Sequence, residues 1–232
     1  MNNEKVVVLC SGGLNSAVLM SLATRERTVA ALHVILGDRA SQRDAECFEK
    51  LTSFFNIRER LKVDMPHFAA IGGNARVSRK QQIEDALAMD GNSSSCHIPG
   101  LVGGLVSAAF TWASNIGATR ILLGVSEDLG PPGPKTRDVH PDYAQECIHL
   151  LNQFCQEASP KRRVGVEAPL IELRRADIVK LGHRLGTPFE STWSCLSGGK
   201  EPCGACLGCA TRNRGFLDAA LPDPLMLEPA QR

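Results

Sequence analysis

Two stretches of the chain carry residue types whose spacing can do chemistry. Ser11-Gly12-Gly13-Leu14-Asn15-Ser16 follows directly on Val6-Val7-Val8-Leu9-Cys10 and runs into Ala17-Val18-Leu19-Met20-Ser21-Leu22-Ala23. The β-branched run reads as a strand covered on both faces, and the apolar run after the glycines has the composition and length of a helix. The turn between them falls where a helix points its unbonded N–H groups. Two glycines allow close backbone approach and two serine hydroxyls add donors, so the turn suits a phosphate or pyrophosphate. It has neither the lysine of a Walker loop nor the three spaced glycines of a dinucleotide fingerprint. The second stretch is Cys195, Cys203, Cys206 and Cys209, a C-x7-C-x2-C-x2-C run among Gly198, Gly199, Pro202, Gly204 and Gly208. Four thiolates on short glycine-rich turns fit a closed, structural zinc site, while an iron–sulfur cluster uses the same ligands and spacing alone leaves it open.

The elements that must position these groups alternate strand and helix. A second strand is expected over Val29 to Leu36, after Arg25-Glu26-Arg27 closes the first helix, and such connections are parallel and right-handed. Gly37-Asp38-Arg39 follows its carboxyl end, where open α/β sheets keep ligands, which makes Arg39 a candidate for meeting a nucleotide or carboxylate. A helix over 40–55 presents Ala45, Phe48, Leu51, Phe54 and Phe55 as its apolar face. A weaker strand at 57–63 leads into an insertion over 65–90, with a helical patch at Gln81 to Met89, that covers part of the sheet or the mouth of the site. Leu101 to Ile116 reads as a helix apolar on nearly every side and hence buried, with Gly103-Gly104 marking a close backbone approach. Cys96-His97 just before it is an adjacent pair without further spaced ligands.

Thr119 to Val125 reads as a central strand opening into a loop with three prolines and two glycines, whose Glu127 and Asp128 are candidate substrate or metal contacts. A helix from Pro141 to about Ala158 turns Ile148, Leu151 and Phe154 inward, Val164 to Leu170 forms an edge strand, and Arg174 to Leu185 forms a helix stopped by Gly186. That last helix offers Arg174, Arg175 and Lys180. Pro222, Pro224 and Pro229 mark a loosely held tail.

The 232 residues, 43% hydrophobic and 22% charged with a formal charge of +1, describe a globular protein with one sizeable core. Near-neutral charge gives no support for attraction to a nucleic-acid backbone or an anionic membrane. No run approaches a transmembrane span or a signal-peptide apolar region, so a reducing cytoplasm is expected. Of the nine cysteines, Cys10, Cys47, Cys96, Cys147 and Cys155 then read as buried small hydrophobes.

The glycine turn resembles the Ser-Gly-Gly-x-Asp-Ser loop of the ATP pyrophosphatases, with Asn15 where that loop has its acid. Together with the cysteine cluster it looks like the 7-cyano-7-deazaguanine synthase family of queuosine and archaeosine precursor synthesis. The likeness also covers Gly37-Asp38-Arg39, Ile98-Pro99-Gly100, Gly124-Val125, Pro141-Asp142, Pro169-Leu170 with Ala176 to Gly182, and Thr192-Trp193-Ser194-Cys195. The resemblance implies an adenine nucleotide α-hydrolase-like, Rossmann-like doubly wound parallel sheet over residues 1–190 and a small zinc-binding lobe and tail over 191–232. It implies that ATP adenylates 7-carboxy-7-deazaguanine and that ammonia gives an amide. A second ATP then dehydrates the amide to the nitrile, with AMP and pyrophosphate released. The cofactors implied are ATP, Mg2+ and Zn2+, and the assembly implied is a homodimer. Carried over residue by residue, Ser11, Asn15, Ser16 and Arg39 serve catalysis. Leu9, Cys10, Ser11, Gly12, Gly13, Leu14, Asn15, Ser16, Gly124, Glu127 and Asp128 hold the nucleotide, and Cys195, Cys203, Cys206 and Cys209 hold the metal.

Departures from the family pattern gather at positions expected to face the ligand. Asn15 replaces an aspartate, Ala40 a histidine, Leu101-Val102 an Arg-Asn pair, and Ala144 and Arg175 an arginine and a lysine. Two further readings follow from them. One is a diverged enzyme, as in antiviral gene clusters, that joins a deazaguanine to a protein or nucleic-acid acceptor. The other is a non-catalytic nucleotide-binding subunit.

Overall fold

The computed structural model describes residues 4–88, 94–126, 141–159 and 163–226. The strands are β1 (Lys5–Leu9), β2 (Thr28–Ile35), β3 (Arg60–Asp64), β4 (Arg120–Leu123) and β5 (Gly165–Glu167). The helices are α1 (Leu14–Ala23), α2 (Ser41–Phe54), α3 (His67–Ile71), α4 (Leu101–Ile116), α5 (Gln145–Glu157), α6 (Arg175–Leu185) and α7 (Leu207–Ala219). All strand pairs are parallel in the order β3-β2-β1-β4-β5, and Val7 of β1 lies opposite Ala30 of β2 and Ile121 of β4.

Alternation along β1 divides the core. Val6 and Val8 pack with α1, α2, α6 and α7, whereas Val7 and Leu9 pack with α4 and α5. A parallel strand buried on both sides needs apolar residues at every position, which is why 6–9 shows no polar alternation. The direction of strand addition reverses at β1, which has β2 on one side and β4 on the other. The carboxyl ends of β1 and β4 therefore flank the crevice where doubly wound sheets hold ligands. Phe216 and Ala219 of α7 belong to the same core as α1, so the segment after the cysteine cluster is packed into the α/β body.

Several expectations need correction. Gln81 to Ala88 form bends and turns, because Ala86 N–H donates to Ala205 O at 2.9 Å and Asp85 caps Leu87 N–H, leaving no i→i−4 ladder. Phe54 is 55% exposed, its ring edge-on to Phe55, which takes the inward place; Phe154 is likewise exposed, with Cys155 turned in. The helix at 101–116 is buried on one face only: Val102, Val106, Ala109 and Ala113 face the sheet, and Ser107, Thr111 and Ser114 face out. Close approach is real at Gly104, where a Cβ would meet the Phe68 ring at 2.7 Å, but not at Gly103. Cys147 is only half-buried. The start of the tail is anchored, since Arg212 forms an ion pair with Asp223 at 2.5 Å, both side chains nearly sealed from water. No helix among the described residues is long and apolar enough to cross a membrane.

Candidate active site

Helix α1 begins one residue after Gly13, so Leu14, Asn15 and Ser16 contribute N–H groups that have no intrahelical acceptor; the first such bond is Ala17 N–H to Gly13 O at 3.1 Å. The turn is stiffened from within. Gly13 N–H donates to Ser11 Oγ (3.2 Å), Ser11 Oγ to Ser16 Oγ (3.3 Å), and Ser16 Oγ to Gly13 O (2.9 Å). Gly12 has φ +84°, and a Cβ there would sit 2.5 Å from the Asp44 carbonyl, so only glycine allows α2 to approach this closely. On the other side a Cβ at Gly124 would lie 3.0 Å from Ser16 N, so the strand end packs directly on the helix start.

These groups open on a cavity of about 340 Å³. Of the expected nucleotide-holding residues, Leu9, Cys10, Ser11, Gly13, Leu14, Asn15, Ser16 and Gly124 line it. Gly12 does not; it is the hinge of the turn and faces α2. Arg39, expected at the ligand, is turned onto the 65–88 segment, where Nη2 donates to Ser78 O (2.8 Å) and Gln81 O (2.6 Å), and it is absent from the cavity wall. Glu127 and Asp128 lie outside the described residues. Among the departures, Asn15, Leu101, Val102 and Arg175 line the cavity, whereas Ala40 and Ala144 are buried at the starts of α2 and α5 away from it.

The walls also carry His33, Asp44 and Arg76, which have no mark in the sequence pattern, beside Arg175, which does. Arg76, from the aperiodic insertion, reaches the cavity and is held by Asp38 Oδ2, 3.0 Å from Nε, while Ser41 Oγ donates to Asp38 Oδ1 at 2.7 Å. Arg175 Nη1 donates to Asn15 Oδ1. Asp44, in the first turn of α2, also lines the cavity; burial, reinforced by Asp38, pushes its carboxyl up to about 8. His33 donates from Nδ1 to Cys10 O at 2.9 Å and stacks on Phe48, and burial lowers its pKa, so the ring is neutral at pH 7. Arg175 was marked by the resemblance as a departure facing the ligand; no periodicity or local motif brings His33, Asp44 or Arg76 forward, since each arrives from a different element.

Above the carboxyl ends of the strands stands the cysteine lobe. The four Sγ atoms lie within 4.8 Å of one another, with Cys203 to Cys209 and Cys206 to Cys195 each at 4.0 Å. Tetrahedral zinc with bonds of about 2.3 Å places its sulfurs about 3.8 Å apart, so the four residues fit the ion. Backbone N–H groups point at the sulfurs as they would at thiolates: Cys203 N to Cys195 Sγ at 3.3 Å, Leu196 N to Cys206 Sγ and Cys206 N to Cys203 Sγ at 3.4 Å. Trp193 N–H bonds Gly12 O at 3.0 Å, which ties the lobe to the glycine turn.

A five-stranded parallel sheet with helices on both faces, a glycine turn at its switch point and a four-cysteine lobe define a Rossmann-like α/β protein. The sequence model of the family described as queuosine biosynthesis protein QueC matches residues 5–220, and the chain belongs to that family. It is 34% identical over 230 residues to the 7-cyano-7-deazaguanine synthase of Koribacter versatilis (strain Ellin345), covering 97% of this chain and 94% of that protein. It is 33% identical over 226 residues to the 7-cyano-7-deazaguanine synthase of Chlorobaculum tepidum, with 97% and 96% covered. Among solved structures, a 4-thiouridine synthetase in complex with RNA and bound ATP is similar with a TM-score of 0.50 at 16% identity, over 94% of this chain and 50% of that one. That likeness concerns the fold.

Proposed function

We propose that the chain is an ATP-dependent adenylating enzyme that acts on a 7-deazaguanine carboxylate and makes the amide or nitrile. One observation carries the reading: the bare amides of Leu14, Asn15 and Ser16 open on a cavity at the sheet's switch point, in a chain collinear with 7-cyano-7-deazaguanine synthases.

In this reading the substrate carboxylate oxygen bonds to the α-phosphorus of ATP while the bond to pyrophosphate breaks. The leaving group's charge develops against the α1 amides, the Ser11 hydroxyl and the Arg175 guanidinium, all preset by the bonds described above. Ammonia then forms the C–N bond as the C–O bond to AMP breaks, and the nitrogen loses a proton to leave the amide. With a second ATP the amide oxygen becomes the adenylated atom and departs with AMP, while the nitrogen gives up its two protons to yield the nitrile.

The described residues at the glycine turn supply no carboxylate for magnesium, since position 15 offers an amide oxygen already taken by Arg175, and no step is drawn through that ion. Zinc at Cys195, Cys203, Cys206 and Cys209 would supply cross-links and no open coordination position.

The altered wall at Asn15, Leu101 and Val102 favours a second reading, in which the same adenylate passes to a protein or nucleic-acid acceptor. Pyrophosphate release with ATP, magnesium, ammonia and 7-carboxy-7-deazaguanine tests both. Release with an amide or nitrile product supports the first, release only with an added acceptor supports the second, and ATP binding without AMP under any condition defeats both.

A further inference from the structure

Asp44 is the charged group of the cavity wall that the mechanism leaves unused. Arg76 is held by Asp38, Arg175 by Asn15, and Arg212 by Asp223. The Asp44 carboxyl has no hydrogen bond and no ion pair among the described residues, although only charges at a distance and burial act on it. Its position is fixed, because its own backbone carbonyl packs against Gly12 and its N–H bonds Ala40 O at 2.9 Å. Trp193 and Ser194 of the cysteine lobe line the same cavity.

A half-buried carboxyl on a cavity wall loses its remaining water when a ligand covers it, and that cost is met when both oxygens receive N–H groups. The planar partner that does this is one with two parallel N–H donors on a single edge. Guanine-type bases carry such an edge at N1–H and the 2-amino group. Two N–H donors also favour the ionised carboxylate against the burial that raises its pKa, whereas adenine, with one donor beside one acceptor, would need the protonated form. We propose that Asp44 reads the N1–H and 2-amino edge of the deazaguanine and is the residue that sets base specificity in this site. The assignment rests on the deazaguanine reading above and goes beyond it by naming the edge and the residue that reads it. It also places the base toward α2 and the cysteine lobe, with its carboxylate toward the glycine turn.

The test uses the zinc-loaded protein with a non-hydrolysable ATP analogue present. Calorimetry compares 7-carboxy-7-deazaguanine with its 2-deamino analogue on the unaltered chain, Asp44→Asn and Asp44→Ser. The unaltered chain is expected to prefer the 2-amino base by about 10- to 100-fold, the value of one bidentate pair. Both variants bring that ratio near one while zinc content and affinity for the ATP analogue stay unchanged. A ratio near one on the unaltered chain overturns the proposal without any variant. So does an Asp44→Asn protein that keeps the preference, or one that loses the ATP analogue instead, which would assign Asp44 to adenine. If the unaltered chain binds neither base, the deazaguanine reading falls together with this assignment. If it binds both equally, the assignment alone falls.

Discussion

Arg175, the first residue of α6, donates from Nη1 to the side-chain oxygen of Asn15 in the first turn of α1. Two helix N-termini are thereby joined at the glycine turn. Gly215 of α7 lies so close to the Arg175 stem that a Cβ there would overlap it, so three helices fix the guanidinium. An aspartate at 15 would bring a negative charge to that guanidinium, whereas the asparagine gives it a neutral acceptor beside the α1 amides.

Arg175→Ala is therefore expected to lower kcat/KM for pyrophosphate release by about 100-fold, the usual loss for one preset donor at a developing charge. Asn15→Asp is expected to lower the magnesium concentration needed for half-maximal release, because a carboxylate joins the site. A magnesium titration that is the same for both chains would count against this role for position 15.

Cys206 and Cys209 are buried in a small core with Cys47 and Trp193, so a metal held by them would be part of the packing there. Cys206→Ser, or a strong chelator, is expected to release about one zinc per chain and lower the melting temperature. Because Trp193 N–H is bonded to Gly12 O, nucleotide affinity should fall with it. Metal content by elemental analysis and a thermal melt check both; a chain that melts unchanged without metal would show the lobe to be self-supporting.

Arg212 sits inside the protein with four hydrogen bonds to three residues: Nε and Nη2 bond the Asp223 carboxylate, Nη1 bonds Thr192 Oγ1 at 2.7 Å, and Nη2 also bonds Phe189 O at 3.1 Å. Asp223→Ala leaves that cation buried without its counter-charge and is expected to destabilise the fold by about 3–5 kcal/mol in urea denaturation. Arg214→Ala, which breaks an exposed pair with Asp218, should cost less than about 1 kcal/mol.

His33 is 2% exposed and its pKa is lowered by burial, so the unfolded chain takes up its proton first as pH falls. Unfolding then binds a proton that folding excludes, and stability drops as pH goes below the ordinary value of 6.5. His33→Gln, which can still donate to Cys10 O, is expected to flatten the loss between about pH 6.5 and pH 5. Parallel urea midpoints for the two chains across that range would exclude His33 as the source.

The strand-turn-helix of residues 5–23 and the four cysteines were legible because their signals are local: a β-branched run, a Gly-Gly turn, and ligands within fifteen residues of one another. Helix α6 stopping at Gly186, which adopts φ +71°, is legible for the same reason. Hydrophobic pattern also placed β2, α2, α4 and α5 to within a few residues. It failed at 81–88, where a bond to Ala205 from a distant part of the chain replaced a helical ladder, and at Phe54 and Phe154, where a neighbour took the inward place.

What the sequence by itself determined is the glycine turn between strand and helix, the four-cysteine cluster and the α/β alternation, each written in residues that lie near one another along the chain. Only the tertiary structure decided that Arg39 is drawn away by Ser78 and Gln81, while Asp44, Arg76 and Arg175 converge on the turn from three other elements. That convergence depends on β1 lying between β2 and β4, and strand order is fixed by which faces bury together, a property no local spacing encodes.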